Sequence, residues 1–156
     1  MTAPTAGQAV RAGRTLAAGV LLGLGTVAFV DEAVFHQILN WHHFYDRSTT
    51  EVGLVSDGLF HAFSWFATVA ALVLVADLRR ERVFWTRRFV AGWLAGAGFF
   101  QLYDGLVQHK VFGLHQIRYG VDLAPYDTVW NVVAAGLLVA GVALAVATDR
   151  VARRPV

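Results

Sequence analysis

Residues 19–43 read GVLLGLGTVAFVDEAVFHQILNWHH, an apolar run with glycines at its start, acids further on and histidines at its close. Residues 92–116 read GWLAGAGFFQLYDGLVQHKVFGLHQ and align with it without a gap, at an offset of 73 residues. Gly19, Gly23 and Gly25 fall on Gly92, Gly96 and Gly98; Asp31 falls on Asp104, His36 on His109 and His42 on His115. The shared pattern is GxxxGxG, then Asp, then His five residues on, then His six further on.

Composition sets the class. Of 156 residues, 56% are hydrophobic and only 15% charged, too few to cover the surface of a soluble domain. The apolar residues fall in long blocks, which points to a membrane protein. The absence of cysteine excludes disulfides, thiolate metal sites and cysteine nucleophiles. Basic residues sit at the ends of apolar segments, which speaks against nucleic-acid binding. The start of the chain, with Arg11 and Arg14, resembles a signal peptide, but the apolar run outlasts a signal h-region and carries the repeated motif, so no cleavage is expected.

Four spans are expected, at 15–41, 54–76, 89–112 and 128–148. At about 1.5 Å per residue each crosses a ~30 Å hydrocarbon core as a helix. Asp57-Gly-Leu-Phe-His61 opens the second span and Asp127-Thr-Val-Trp-Asn131 the fourth, a weaker echo of the repeat. The expected fold is therefore an all-α membrane protein: a four-helix transmembrane bundle of two tandem helical hairpins, 15–77 and 88–149, with a pseudo-twofold axis along the membrane normal. Tails at 1–14 and 150–156 flank it. Arg79, Arg80, Arg82, Arg87 and Arg88 in the middle loop, with Arg11, Arg14, Arg150, Arg153 and Arg154 at the ends, place both termini in the cytoplasm of a multi-pass cell-membrane protein.

The polar residues gather at one depth. Arg14 to His36 is about 33 Å of helix and Arg88 to His109 about 32 Å, so both histidines lie near the outer edge of the core. His61 and Asn131 stand one turn inside the outer ends of their helices, and Asp31 and Asp104 about 7 Å deeper. His36, His42, His43, His61, His109 and His115 with Asp31, Asp57 and Asp104 are the candidate metal ligands; Glu32, Asp127 and Asn131 are candidates for the surrounding shell. Each feature also has a structural reading: glycines for helix packing, Asp57 and Asp127 as helix caps, aspartates paired with Arg47 or Arg118, loop histidines in solvent. Acids inside a membrane segment cost roughly 2.5–3.5 kcal/mol near its centre, and a chain that places them twice in register has a use for them.

The stretches FVDEAVFHQILNWHH (29–43), SDGLFHAFSW (56–65), FQLYDGLVQHKVFGLHQIRY (100–119) and YDTVWN (126–131) resemble the predicted membrane proteins of domain of unknown function 2243. The resemblance implies a small four-span prokaryotic membrane protein and supplies no activity.

Chemistry must supply the function. Imidazole and carboxylate ligands suit copper, zinc or iron, and the inventory is large enough for two metals. A transition-metal centre near the outward face, for redox chemistry or metal handling, is the leading expectation. Haem b on His36 and His109, with Gly25 and Gly98 making room for the ring, is an alternative. A di-iron enzyme, ion translocation through Asp31 and Asp104, and an assembly subunit with no cofactor are further ones. Expected partners are the bilayer, other membrane complexes or a second copy.

Overall fold

The computed structural model describes residues 6–152; residues 1–5 and 153–156, including Arg153 and Arg154, lie outside the described residues, as does the side chain of Arg150. The described chain is helical throughout, with short connections. Helix α1 (Ala6–Asp31) continues into a π-helical segment (Glu32–Ile38). Helix α2 (Thr50–Arg80) follows. Helix α3 (Thr86–Leu102) again continues into a π-helical segment (Tyr103–Phe112), and α4 (Leu123–Ala152) closes the chain. Because α1 begins at Ala6, most of the expected tail is helix, and its Arg14 pairs with Glu81 at 2.7 Å.

Glycine decides the packing order. A Cβ on Gly19 would strike the Phe89 carbonyl and the backbone of Trp93 and Gly92; one on Gly92 would strike the Leu16 carbonyl and the backbone of Val20 and Gly19. Gly23 lies against the Trp93 carbonyl and Gly96 against the Val20 carbonyl. With no side chains between them, α1 and α3 pack backbone to backbone as the central pair. Gly25 is closed over by Thr68 and Ser64 of α2, Gly98 by Ala134 and Leu138 of α4. The helices thus stand in the order α2, α1, α3, α4, and among the described residues the two flanking helices do not touch each other. This is a central pair with two flanks.

Among the described residues, three helices are long and apolar enough to cross a membrane: Arg11–Ile38, Thr50–Arg80 and Leu123–Asp149. The segment expected as the third of four spans does not stand among them. Arg87, Arg88, Gln101, Asp104, Gln108, His109 and Lys110 dilute its hydropathy. It also packs between α1 and α4, which removes the need for an apolar face all round.

Both ends of the helices are tied. At one end the Asp46 amide donates to the Leu114 carbonyl at 3.0 Å and Arg47 donates to the Phe112 carbonyl at 3.1 Å, joining loops 39–49 and 113–122. At the other, Arg88 bridges to Asp149 at 2.8 Å and donates to Thr148 at 3.0 Å. Just past the π segments stand Asn40 (φ 48°) and Gly113 (φ 56°), left-handed positions that favour these residue types. Beyond them the Trp41 amide donates to the Phe35 carbonyl and that of Leu114 to Gln108.

Gly23→Ala and Gly96→Ala each force backbone apart and are expected to cost about 1–3 kcal/mol. Gly136→Ala, which meets nothing within 4 Å, should be neutral or up to about 1 kcal/mol stabilising. Thermal unfolding in detergent checks the contrast.

Candidate metal centre

The repeated interval from Asp to His is five residues, which in an α-helix splays two side chains apart. A π turn closes its hydrogen bond from residue i to i+5, so such a pair meets. Asp104 and His109 lie in one of these segments, with Oδ2 and Nε2 3.0 Å apart. In the other, Gln37 donates to Glu32 Oε1 at 2.8 Å, again across five residues.

Two buried groups of ligating side chains result. The first is Glu32, His36 and Asp57, the second Asp104, His109 and His115; within each, one ligand atom per residue lies within 4.8 Å of the others. In the first group His36 Nδ1 stands 3.0 Å from both Glu32 Oε2 and Asp57 Oδ1. Asp57 also accepts from His43 Nδ1 at 2.6 Å and from the Phe44 amide at 2.7 Å. Gly53 makes room for the His43 ring, which would collide with a Cβ there.

The loop histidines swap partners. His42 Nδ1 donates to the Ile117 carbonyl at 2.9 Å, and His115 Nδ1 donates to the Phe44 carbonyl at 2.8 Å. Their rings stack 4.5 Å apart, nearly parallel. His36 lies 4.5 Å from His42 and His109 4.6 Å from His115, so four imidazoles form one cluster. Burial above all, and then His115, push the His42 imidazole well below its ordinary value and keep it neutral.

A carbonyl only accepts, so the proton of a neutral His115 sits on Nδ1 and its Nε2 presents a lone pair. That Nε2 is buried, has no hydrogen-bond partner and faces Asp104 Oδ1 at 3.7 Å. Two acceptors facing each other in a buried site repel unless a proton or a cation lies between them. His36 Nε2, both ring nitrogens of His109, Glu32 Oε2 and Asp31 Oδ1 are likewise buried without an aligned hydrogen bond. Glu32 and His109 approach their neighbours to 3.0 Å but at angles unsuited to hydrogen bonding. Atoms that share a metal at roughly 2.0–2.2 Å stand about this far apart. Histidines whose second ring nitrogen donates to a carbonyl or carboxylate are the arrangement seen around bound metals.

Other expected positions fall differently. His61 is exposed on α2, with its ring 5.5 Å from Phe29, and lies outside both groups. Asn131 donates to the Asp127 carbonyl at 2.8 Å and faces Gly105, while Asp127 pairs with Lys110. Asp57 and Asp127 do not cap their helices, because α2 starts at Thr50 and α4 at Leu123, well before them. Arg118 donates to the Tyr126 hydroxyl and lies over Trp41, pairing with neither aspartate. The space beside Gly25 and Gly98 is filled by helix backbone, which leaves no bed for a haem ring there. Glu32, expected in the surrounding shell, stands in the first group itself.

A family model described as predicted membrane protein, DUF2243, matches residues 18–148. The chain belongs to this family. Comparison with curated proteins and with solved structures finds no match. In this DUF2243 protein the matched residues contain both groups that could hold a metal.

Asp57→Ala strips acceptors from His36, His43 and the Phe44 amide and is expected to lower stability by about 2–3 kcal/mol or more. His61→Ala should stay within about 0.5 kcal/mol of wild type. Equilibrium unfolding of both variants distinguishes the buried network from the exposed position.

Proposed function

We propose that this is an integral membrane metalloprotein whose histidine and carboxylate centre holds one or two transition-metal ions for redox chemistry or metal handling. The observation that carries the reading is the buried lone pair of His115 Nε2 facing a carboxylate oxygen of Asp104, with His109 beside them. Only a proton or a metal cation relieves that opposition, and the second group of Glu32, His36 and Asp57 offers a further site of the same kind. The donors are imidazole nitrogens and carboxylate oxygens with no sulfur, which favours iron, zinc or copper(II) over copper(I). Haem is disfavoured, since His42 and His115 crowd the space around His36 and His109.

We further read the fold as four spans in two related hairpins. The loops at 39–49 and 113–122 meet at one end while Arg14, Glu81, Arg88 and Asp149 gather at the other, so α3 with its π segment runs the same course as α1. Matching glycine contacts support the relation: Leu16 and Val20 on one side correspond to Phe89 and Trp93 on the other. On this reading the metal centre lies toward the outward face of the cell membrane and both termini lie in the cytoplasm.

Elemental analysis of the purified protein should find bound iron, zinc or copper, and His115→Ala should weaken its retention about 100-fold or more. Metal-free protein after supply of all three ions, or retention unchanged by His36→Ala with His109→Ala, sinks the proposal. For topology the chain has no cysteine to interfere. In sealed, right-side-out vesicles Ser48→Cys should react with an impermeant maleimide and Glu81→Cys only after permeabilisation; the reverse pattern overturns the orientation.

A further inference from the structure

Charge is unevenly matched at the end of the molecule where α2 finishes and α3 begins. Three acids stand there, Asp77, Glu81 and Asp149, and each is paired with an arginine: Arg80 at 3.0 Å, Arg14 at 2.7 Å and Arg88 at 2.8 Å. Arg11, Arg79, Arg82 and Arg87 are exposed at the same end, and among the described residues none of them has a carboxylate partner. The Arg79 guanidinium lies 5.0 Å from the centroid of the Phe84 ring. Phe84 and the adjoining Trp85 are half-buried, just past a helix long and apolar enough to cross a membrane. Aromatic and basic residues mixed in this way mark headgroup depth.

Arg82 stands out in the backbone. It follows the end of α2 with φ 56°. Its amide donates to the Arg79 carbonyl at 3.0 Å, and the Val83 amide donates to the Leu78 carbonyl at 2.9 Å. This pair of bonds makes a left-handed helix stop, the position that glycine fits without strain. Arginine there gives up stability, and its side chain makes no hydrogen bond or ion pair among the described residues that compensates.

We infer that this end binds anionic phospholipid, whose phosphate oxygens accept from the guanidiniums of Arg79, Arg82 and Arg87. No acid of the chain itself can take that place, since all three at this end are engaged. Every basic residue at this end is arginine, and Lys110 is the chain's lone lysine. A guanidinium fork matches two oxygens of one phosphate, which an ammonium does not. A zwitterionic headgroup carries its own cation beside the phosphate and gains less. Orientation in the membrane does not call for Arg82, because the neighbouring Arg79 and Arg80 serve a positive-inside bias from ordinary helical backbone. The inference rests on residence in a bilayer and is independent of any bound metal.

Native mass spectrometry of the full chain in detergent, titrated with phosphatidylglycerol or with phosphatidylcholine of the same acyl chains, tests it by counting retained lipids. Wild type should hold phosphatidylglycerol at least about tenfold more tightly than phosphatidylcholine. Arg82→Gln with Arg87→Gln should bring the two lipids within about twofold of each other. Arg82→Gly should raise the melting temperature of the lipid-free protein and still weaken phosphatidylglycerol about fivefold, a combination that a structural role for the arginine does not produce. Arg47→Gln removes a charge at the opposite end and should leave the preference as it is. Equal retention of the two lipids by wild type would overturn the inference and leave these arginines to membrane topology alone. A preference untouched by the Arg82 variants, or lost to the same extent in Arg47→Gln, would overturn it as well. Arg82→Gly decides the matter if the double variant fails to fold.

Discussion

A buried carboxylate in an apolar protein must find a cation or donors, and this constraint governs the outer part of the molecule. Asp31, Glu32, Asp57 and Asp104 are each at most 3% exposed. Unpaired, each would cost several kcal/mol in a low-dielectric surrounding. Around Glu32, Asp57 and Asp104 the chain places His36, His43, His109, His115, Gln37 and the Phe44 amide. Three features follow from that need. The odd helices loosen into π turns so that residues five apart can meet. The loops fold back over the bundle, so that loop histidines reach helix carboxylates. Each loop also lends a backbone carbonyl to the other loop's histidine, which locks the pair together.

None of this closes unless α1 and α3 approach closely. His42 and His115 stack at 4.5 Å only because the helices that carry their loops share a glycine seam. Glycine therefore acts at a distance here: Gly19, Gly23, Gly92 and Gly96 touch no ligand, yet they set the spacing between the two ligand groups. The same economy leaves α2 and α4 on opposite flanks, with broad apolar faces free to meet lipid. Grooves beside the central pair remain as cavities, one near Phe60 and another, of about 450 Å³, near Trp130.

Much of this was legible in the sequence, and the gaps have physical causes. The apolar blocks, the glycine register and the Asp–His–His spacing are one-dimensional patterns, and they mark the helices and most of the ligands. Counting α-helical turns, however, puts His61 beside His36 at equal depth and leaves Asp and His on different faces. The π turns change the rotation of every residue after Asp31 and Tyr103, so facing is lost where the ligands lie. The five-residue interval was itself the signal for that turn. The repeat gives Glu32 no counterpart, since Gly105 stands 73 residues on, so the internal alignment does not mark it as part of the group. Asp57 stands at a cap position by hydropathy alone, because the polar stretch before it forms two further helical turns beginning at Thr50.

Those unequal counterparts bear on what the centre does. Positions 73 apart give Glu32 against Gly105, His43 against Gln116 and Gln37 against Lys110, while Asp57 corresponds in α2 to Asp127 in α4. Lys110 draws Asp127 into an ion pair and away from His109, so the second half lacks the helix carboxylate that Asp57 supplies to the first. One group is consequently rich in carboxylate, with two acids to one imidazole, and the other rich in imidazole, with two to one acid. Harder ions prefer the first set and borderline ions the second. On the metalloprotein reading proposed above, unlike donor sets on a shared scaffold would suit a division of labour, one position holding its ion firmly and the other exchanging ligand or charge.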